Sequence, residues 1–319
     1  MNTEPEIHIP VMEQEVSEQL RSSKPGKILV DCTMGYGGHS AVLTKDFNQD
    51  DRLIGIDRDC DAIEACENRF KNAPFQVSIH NVGFDELKSV LEQEAVEFAD
   101  LFLFDLGFSS PQVDQSERGF SFMRSGPLDM RMDQRQTLAA KDVINLWSES
   151  ELASIFKRYG DERFSRRIAK SIVRIRKDSP IDTTQELADV VINAIPERNR
   201  RKEGIHPATR VFQALRIVVN DELESLRSGL NAALHHLNPE GRVAVLSYHS
   251  LEHRIVKELY RGFCRPIIHA PGIPVTGRED PEKGKIITRK AIRPCAAEQQ
   301  RNPRSRSAQL RVLECAKAE

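Results

Sequence analysis

The sequence predicts a doubly wound α/β fold: an open parallel sheet with helices on both faces and an all-helical insertion after the fourth strand. Three observations carry this reading. Short apolar runs alternate with helical segments up to residue 105, the alternation stops between 112 and about 206, and it resumes from there towards the C-terminus. The first strand is 27–31, closed by Asp31, and the glycine loop Gly35-Tyr36-Gly37-Gly38 leads into a helix through 40–43. Strand two, 52–57, ends in Asp57; a helix follows at 61–66, then strand three at 76–80 and a helix at 84–91. The fourth strand, 100–105, is the apolar run Leu101-Phe102-Leu103-Phe104 closed by Asp105.

In the interruption, apolar residues recur at helical spacing (Leu152, Ile155, Phe156; Ile168, Ile172, Val173, Ile175). A long amphipathic helix is expected over 208–237, closed by a turn at Asn238-Pro239-Glu240-Gly241. Strand five at 242–247, a helix at 256–261 and strands at 286–288 and 309–313 complete the pattern. The Pro- and Gly-rich stretch 266–284 reads as a loop.

Composition excludes several classes. With 319 residues, 29% charged and 39% apolar, the chain is long enough for a large core and is not of disordered type. No apolar run approaches the length of a membrane span. The acidic start Met1-Asn2-Thr3-Glu4-Pro5-Glu6 has no apolar stretch of secretory type, so a cytoplasmic location is expected. Six cysteines are scattered without metal-binding spacing and read as reduced thiols. A net charge of −2 argues against a generic nucleic-acid coat. The charge is nevertheless uneven. Basic clusters lie at Arg163–Lys177, at Arg198, Arg200, Arg201 and Lys202, and at Arg289, Lys290, Arg293, Arg301, Arg304, Arg306 and Arg311. They read either as solvated helix faces or as contacts to a polyanion.

Chemistry gathers where the strands end, because open α/β sheets bind ligands outside the carboxyl ends of their strands. The loop Asp31 to His39 joins a strand to a helix, and its glycines permit close backbone approach to a ligand. Asp57, about twenty residues on, is placed to accept ribose hydroxyls. Together they indicate an adenosine-containing cofactor. Gly35-x-Gly37-x-x-Ser40 only partly fits a dinucleotide fingerprint. Asp31 would repel a pyrophosphate but could bind the ammonium of a methionine moiety, so S-adenosylmethionine is favoured over NAD. After strand four, Asp105-Leu106-Gly107-Phe108-Ser109-Ser110-Pro111-Gln112 offers a carboxylate, hydroxyls and a turn. Such groups could position an exocyclic base amine, a poor nucleophile, and accept its hydrogen bonds as charge develops. The base would have to leave any stack. Methylation at a pyrimidine carbon would instead require a cysteine nucleophile, and the only Pro-Cys pair, Pro294-Cys295, lies beyond strand five.

The chain resembles the RsmH/MraW family of 16S rRNA N4-cytosine methyltransferases. Matching motifs run in family order from His8-Ile9-Pro10-Val11 through Gly35–Ser40, Ile56–Asp59, Asp105–Gln112, Glu117–Met123 and Gly126–Asp133. They continue with Tyr159–Arg163, His206–Arg210, Phe212–Arg216 and Ser247–Glu252. The resemblance implies a Rossmann-like class I methyltransferase domain (1–111 and 207–319) with a helical RNA-recognition insertion at 112–206. It implies donor binding by Gly37, Gly38, His39, Asp57, Phe84, Asp105 and Gln112. Asp105 with Ser109, Ser110 and Pro111 would orient the amine. No metal and no membrane are expected. The implied substrate is 16S rRNA in the small subunit, at cytosine 1402 of the decoding region in the usual numbering; a homodimer stays open. Read without the resemblance, Phe84 would be core. Asp129, Arg131 and Asp133 read as an ion-paired loop or as the mouth for RNA. Arg210 reads as a phosphate clamp or an acid's partner, and Ser247, Tyr248 and His249 as base-facing. The chain departs from the family pattern at Cys32-Thr33-Met34 and Tyr36, at Tyr248 where Phe is common, and at His253 where Asp is frequent. The rival readings are an NAD-linked oxidoreductase and a non-catalytic RNA-binding assembly factor.

Overall fold

The computed structural model describes residues 10–22, 24–200, 206–265 and 283–317. His8, Ile9, Arg201, Lys202 and the expected loop up to residue 282 lie outside the described residues. Seven strands form one sheet: β1 (Ile28–Asp31), β2 (Arg52–Ile56), β3 (Gln76–His80), β4 (Ala99–Asp105), β5 (Leu237–Ser247), β6 (Gly284–Ile286) and β7 (Gln309–Cys315). Their order is β3-β2-β1-β4-β5-β7-β6. Strands β1 to β5 pair in parallel, whereas β7 runs antiparallel to both β5 and β6. The sheet is therefore mixed at one edge rather than parallel throughout.

The chain clusters into two compact units, one comprising residues up to Gly107 and from Leu223 onward, the other Phe108–Glu222. In the first, alternation along β4 feeds two cores. Phe102 and Phe104 pack with Leu87, Leu91, Leu226, Leu230 and Tyr260 on one face, and Leu101 and Leu103 pack with Val16, Leu20, Leu246 and Leu310 on the other. A central parallel strand covered on both sides has to be apolar through its middle, and Leu101–Phe104 are.

The second unit is helical, with helices at Ala140–Leu146, Glu149–Gly160, Ser165–Ile175, Thr184–Ala194 and Thr209–Val219 around one core. Its described residues hold no strand beyond an isolated bridge between Pro127 and Thr183. Its extent is wider than the expected 112–206. The single helix expected over 208–237 is two helices, Thr209–Val219 and Glu222–His235, separated at Asn220 and at Asp221, whose φ is 47°. The first half sends Val211, Phe212, Leu215 and Val219 into the helical core, while the second half sends Leu226, Leu230 and Leu234 against the sheet. One apolar stripe thus serves two cores, and periodicity alone could not show the break. The turn expected at 238–241 is instead a bulged start of β5, where Ala99 pairs with Leu237 and Leu101 with Arg242.

Candidate active site

Asp31 ends β1 and is buried. Its Oδ2 accepts the Ser40 hydroxyl at 2.6 Å and its Oδ1 the Thr33 N–H at 3.2 Å, and burial pushes its pKa up to about 6. The glycine loop turns through positive φ at Gly35 (50°) and Gly37 (74°) before the helix Gly38–Leu43. A Cβ at Gly37 would lie 2.8 Å from Phe70 and 3.1 Å from Cys66, so both the turn and the packing require glycine there. Asp57 follows β2. Its Oδ2 accepts the Gly35 N–H at 2.7 Å and its Oδ1 the Asp59 N–H at 2.9 Å. Burial raises its pKa. Two backbone donors fix this carboxylate's orientation, and a carboxylate's remaining lone pairs can still accept hydroxyls.

Phe84 opens a 3₁₀ turn (Phe84–Glu86) after β3 and is half-buried. Its ring meets Phe104 edge-on at 5.8 Å, and the Arg58 guanidinium lies 5.5 Å from its centroid. A buried acid at β1, an oriented acid at β2, a glycine loop between them and a half-buried aromatic after β3 fit an adenosine-linked amino acid. The acids are acceptors suited to its ammonium and ribose hydroxyls, and the ring offers a face to its base.

Asp105 closes β4 with a quarter of its side chain exposed. Its N–H donates to Thr33 Oγ1 at 2.6 Å, and the Tyr248 hydroxyl donates to its Oδ1 at 2.6 Å. The buried His39 places Nε2 3.4 Å from Oδ2, an ion-pair separation without hydrogen-bond geometry. Burial by itself lowers the His39 pKa, but the Asp105 and Asp31 carboxylates outweigh it and the net shift is upward. Burial beside Asp105 pushes the Tyr248 phenol well up, so it stays a donor. Tyr248 was expected to face a base; its bond to Asp105 needs β5 beside β4 and has no local sequence signal. The same holds for Thr33, which registers in the sequence only as a loop variation.

The remaining predicted site residues lie in the helical unit. Ser109 and Gln112 form a capping box at the helix Ser110–Asp114: Ser109 Oγ accepts the Gln112 N–H at 3.4 Å, and Gln112 Oε1 accepts the Ser109 N–H at 2.9 Å. Pro111 stands in the first turn, and the Ser110 side chain lies outside the described residues. Phe108 is exposed, with the Arg216 guanidinium 4.7 Å from its ring centroid, and Arg216 is held by Glu222 at 2.7 and 2.9 Å. Arg131 grips Asp129 bidentately at 2.9 and 2.7 Å, which favours the ion-paired-loop reading of that motif. His206 stacks on Phe122 at 4.4 Å. On the helix Ser165–Ile175, Ile168, Ala169 and Ile172 are buried while Arg166, Arg167, Lys170 and Arg174 are exposed.

A sheet of this order with β7 reversed, carrying acids at the carboxyl ends of β1, β2 and β4, defines a class I methyltransferase fold. The comparisons with known proteins then give the family. The chain belongs to the MraW methylase family, which it matches over residues 6–316. It is 45% identical to the ribosomal RNA small subunit methyltransferase H of Halothermothrix orenii, over 96% of this chain and 98% of that one. To the protein of that name from Brevibacillus brevis it is 44% identical, over 96% and 97%. Among solved structures, an rRNA methylase from Streptococcus thermophilus superposes with a TM-score of 0.42 at 12% identity, covering 99% of this chain and 100% of that one.

Proposed function

We propose that this protein transfers a methyl group from S-adenosylmethionine to the exocyclic N4 of a cytosine in the decoding region of 16S rRNA, cytosine 1402 in the usual numbering. The observation that carries the reading is the family match over nearly the whole chain, with relatives named as small-subunit rRNA methyltransferases at about 45% identity. The substrate is 16S rRNA within the small subunit, and the working compartment is the cytoplasm. When bound, S-adenosylmethionine supplies an activated methyl group that needs neither a metal nor a covalent enzyme intermediate. Asp57 takes the ribose hydroxyls and Asp31 the ammonium, Gly37, Gly38 and His39 line the loop, and Phe84 flanks the adenine; Gln112 completes the expected donor set. Asp105, with the turn Ser109-Ser110-Pro111, holds the amine and accepts its hydrogen bonds as positive charge develops on nitrogen. The exposed arginines and lysine of Ser165–Ile175 hold RNA phosphates.

The test is transfer of labelled methyl from S-adenosylmethionine to small subunits from a strain lacking its own enzyme, followed by nucleoside analysis. N4-methylcytidine is expected. Label on a ring carbon or on another base would overturn the assignment. RNA binding without any transfer would favour an assembly factor, and NAD binding without S-adenosylmethionine binding an oxidoreductase.

A further inference from the structure

The C-terminal basic cluster finds no role in the chemistry above, and the sheet gathers part of it at one place. On β5, Val245 faces the core shared with the helix Ser250–Cys264 and Leu246 faces the opposite core, so alternation turns Ser247 towards that helix. On β7, Leu310 and Val312 face the opposite core, which turns Gln309 and Arg311 towards the same helix. Register places Arg311 across from Val245 and Gln309 across from Ser247. Ile292 bridges to Leu310, so the next residue, Arg293, lies at the same end of β7. From the helix, His253 reaches down and shares a 2.6 Å hydrogen bond with the Ser247 hydroxyl through Nδ1.

Three cationic or basic groups thus converge beside the carboxyl end of β5, with little to balance them. Arg311 Nε is buried without a partner, and neither Arg293 nor Arg311 makes a side-chain hydrogen bond or ion pair among the described residues. The neighbours act in the same sense: Arg311 and Arg293 help burial to lower the His253 pKa, and Arg261 helps burial to lower that of Arg311. Glu252 is the acid that acts most on His253, but its Oε2 accepts the Tyr248 and His249 N–H groups at 2.6 and 3.1 Å and its Oε1 lies 3.0 Å from His249 Nε2.

We infer that Arg293, Arg311 and His253 form a binding site for a backbone phosphate of the RNA substrate at the carboxyl end of β5. The guanidinium groups of Arg293 and Arg311 are donors matched to phosphodiester oxygens, and with Nδ1 accepting from the Ser247 hydroxyl the imidazole Nε2 is a third. The inference rests on the proposed RNA substrate. It adds an anchor on the sheet-bearing unit itself, outside the donor-binding loop and outside the helical unit.

The experiment uses the full chain, a fluorescein-labelled single-stranded RNA oligonucleotide and fluorescence anisotropy over a salt series. Arg293→Gln, Arg311→Gln and His253→Asp are each expected to weaken binding about tenfold at low salt. Each arginine variant should also flatten the slope of log affinity against log salt by about 0.7, as for one lost phosphate contact. Unchanged binding of S-adenosylhomocysteine by calorimetry shows that a variant is folded. Arg293 is exposed, so its variant remains informative if the strand substitution at Arg311 misfolds. Affinities and slopes equal to wild type in folded variants overturn the phosphate site and leave the methyltransferase reading standing. A wild-type protein that methylates no small subunits overturns that reading instead.

Discussion

Asp31, Asp57 and Asp105 close three neighbouring strands, yet each carboxylate has different company, and company decides what each can do. Asp31 is wholly buried with one hydroxyl and one N–H, and it ionises reluctantly, at about 6 rather than 3.8. Below about pH 4 the residue is neutral in folded and unfolded chains alike and carries no penalty. As pH rises through 6 the unfolded chain has already ionised while the folded one must charge a buried acid, so stability falls by up to about 3 kcal/mol. Asp31→Asn can still accept the Thr33 N–H through Oδ1 and donate its amide to the Ser40 hydroxyl, so it should be more stable than wild type at about pH 8, with the advantage shrinking towards pH 4. Urea midpoints across that range check this, and a pH-independent difference would refute it. Asp105 is held by Tyr248 on one oxygen and His39 on the other. Asp105→Ala should abolish methyl transfer while leaving the fold intact by circular dichroism. Tyr248→Phe keeps the ring against Gly107 and removes only the donor, so turnover should fall about tenfold, as for a lost bond to a charged group. A fully active Phe variant in single-turnover assays would show that Asp105 needs no such anchor. The three aspartates were legible in the sequence because each ends an apolar run. Their partners were not, since Thr33 and Tyr248 reach Asp105 only once β1 and β5 flank β4.

At the level of elements, strands one to five and their order of appearance could be read from period and punctuation, because each is a short apolar run between polar turns. The reversal of β7 could not: parallel and antiparallel edge strands carry the same alternation, and only pairing with β5 and β6 fixes direction. The break at Asn220 was hidden for a related reason. Asn220 keeps a helical period on both sides while its side chain does other work: Oδ1 accepts the Met132 N–H at 2.8 Å, and Nδ2 donates to the carbonyls of Met130 (2.8 Å) and Arg216 (2.9 Å). Those bonds tie the motif Gly126–Asp133 to the end of the helix Thr209–Val219 and hold Met130 at a φ of 63°. Asn220→Ala leaves buried backbone groups without partners and should destabilise the protein by about 3 kcal/mol, measured by chemical denaturation. A loss within about 0.5 kcal/mol, typical of a surface change, would mean that the loop is held by other contacts.

For the molecule as a whole, a net charge of −2 conceals strong local asymmetry. The helix Ser165–Ile175 buries an apolar stripe and turns Arg166, Arg167 and Lys170 outward. Neutralising these three to Gln should flatten the salt dependence of rRNA binding by about 2, near 0.7 for each contact, with donor binding unchanged. An unaltered slope would assign that face to solvation alone. The sequence by itself determined the α/β class, the strand-end acids, the glycine loop and the family, since these are written in local period, short spacings and motif order. It did not determine where the helical unit ends, because the stripe from Val211 to Leu234 is continuous while its two halves pack into different cores. Nor could it show that Asp105 is gripped by Tyr248 and His39, or that Arg293, Arg311 and His253 meet. Those are relations between strands and helices far apart in the chain, and sheet register and packing decided them.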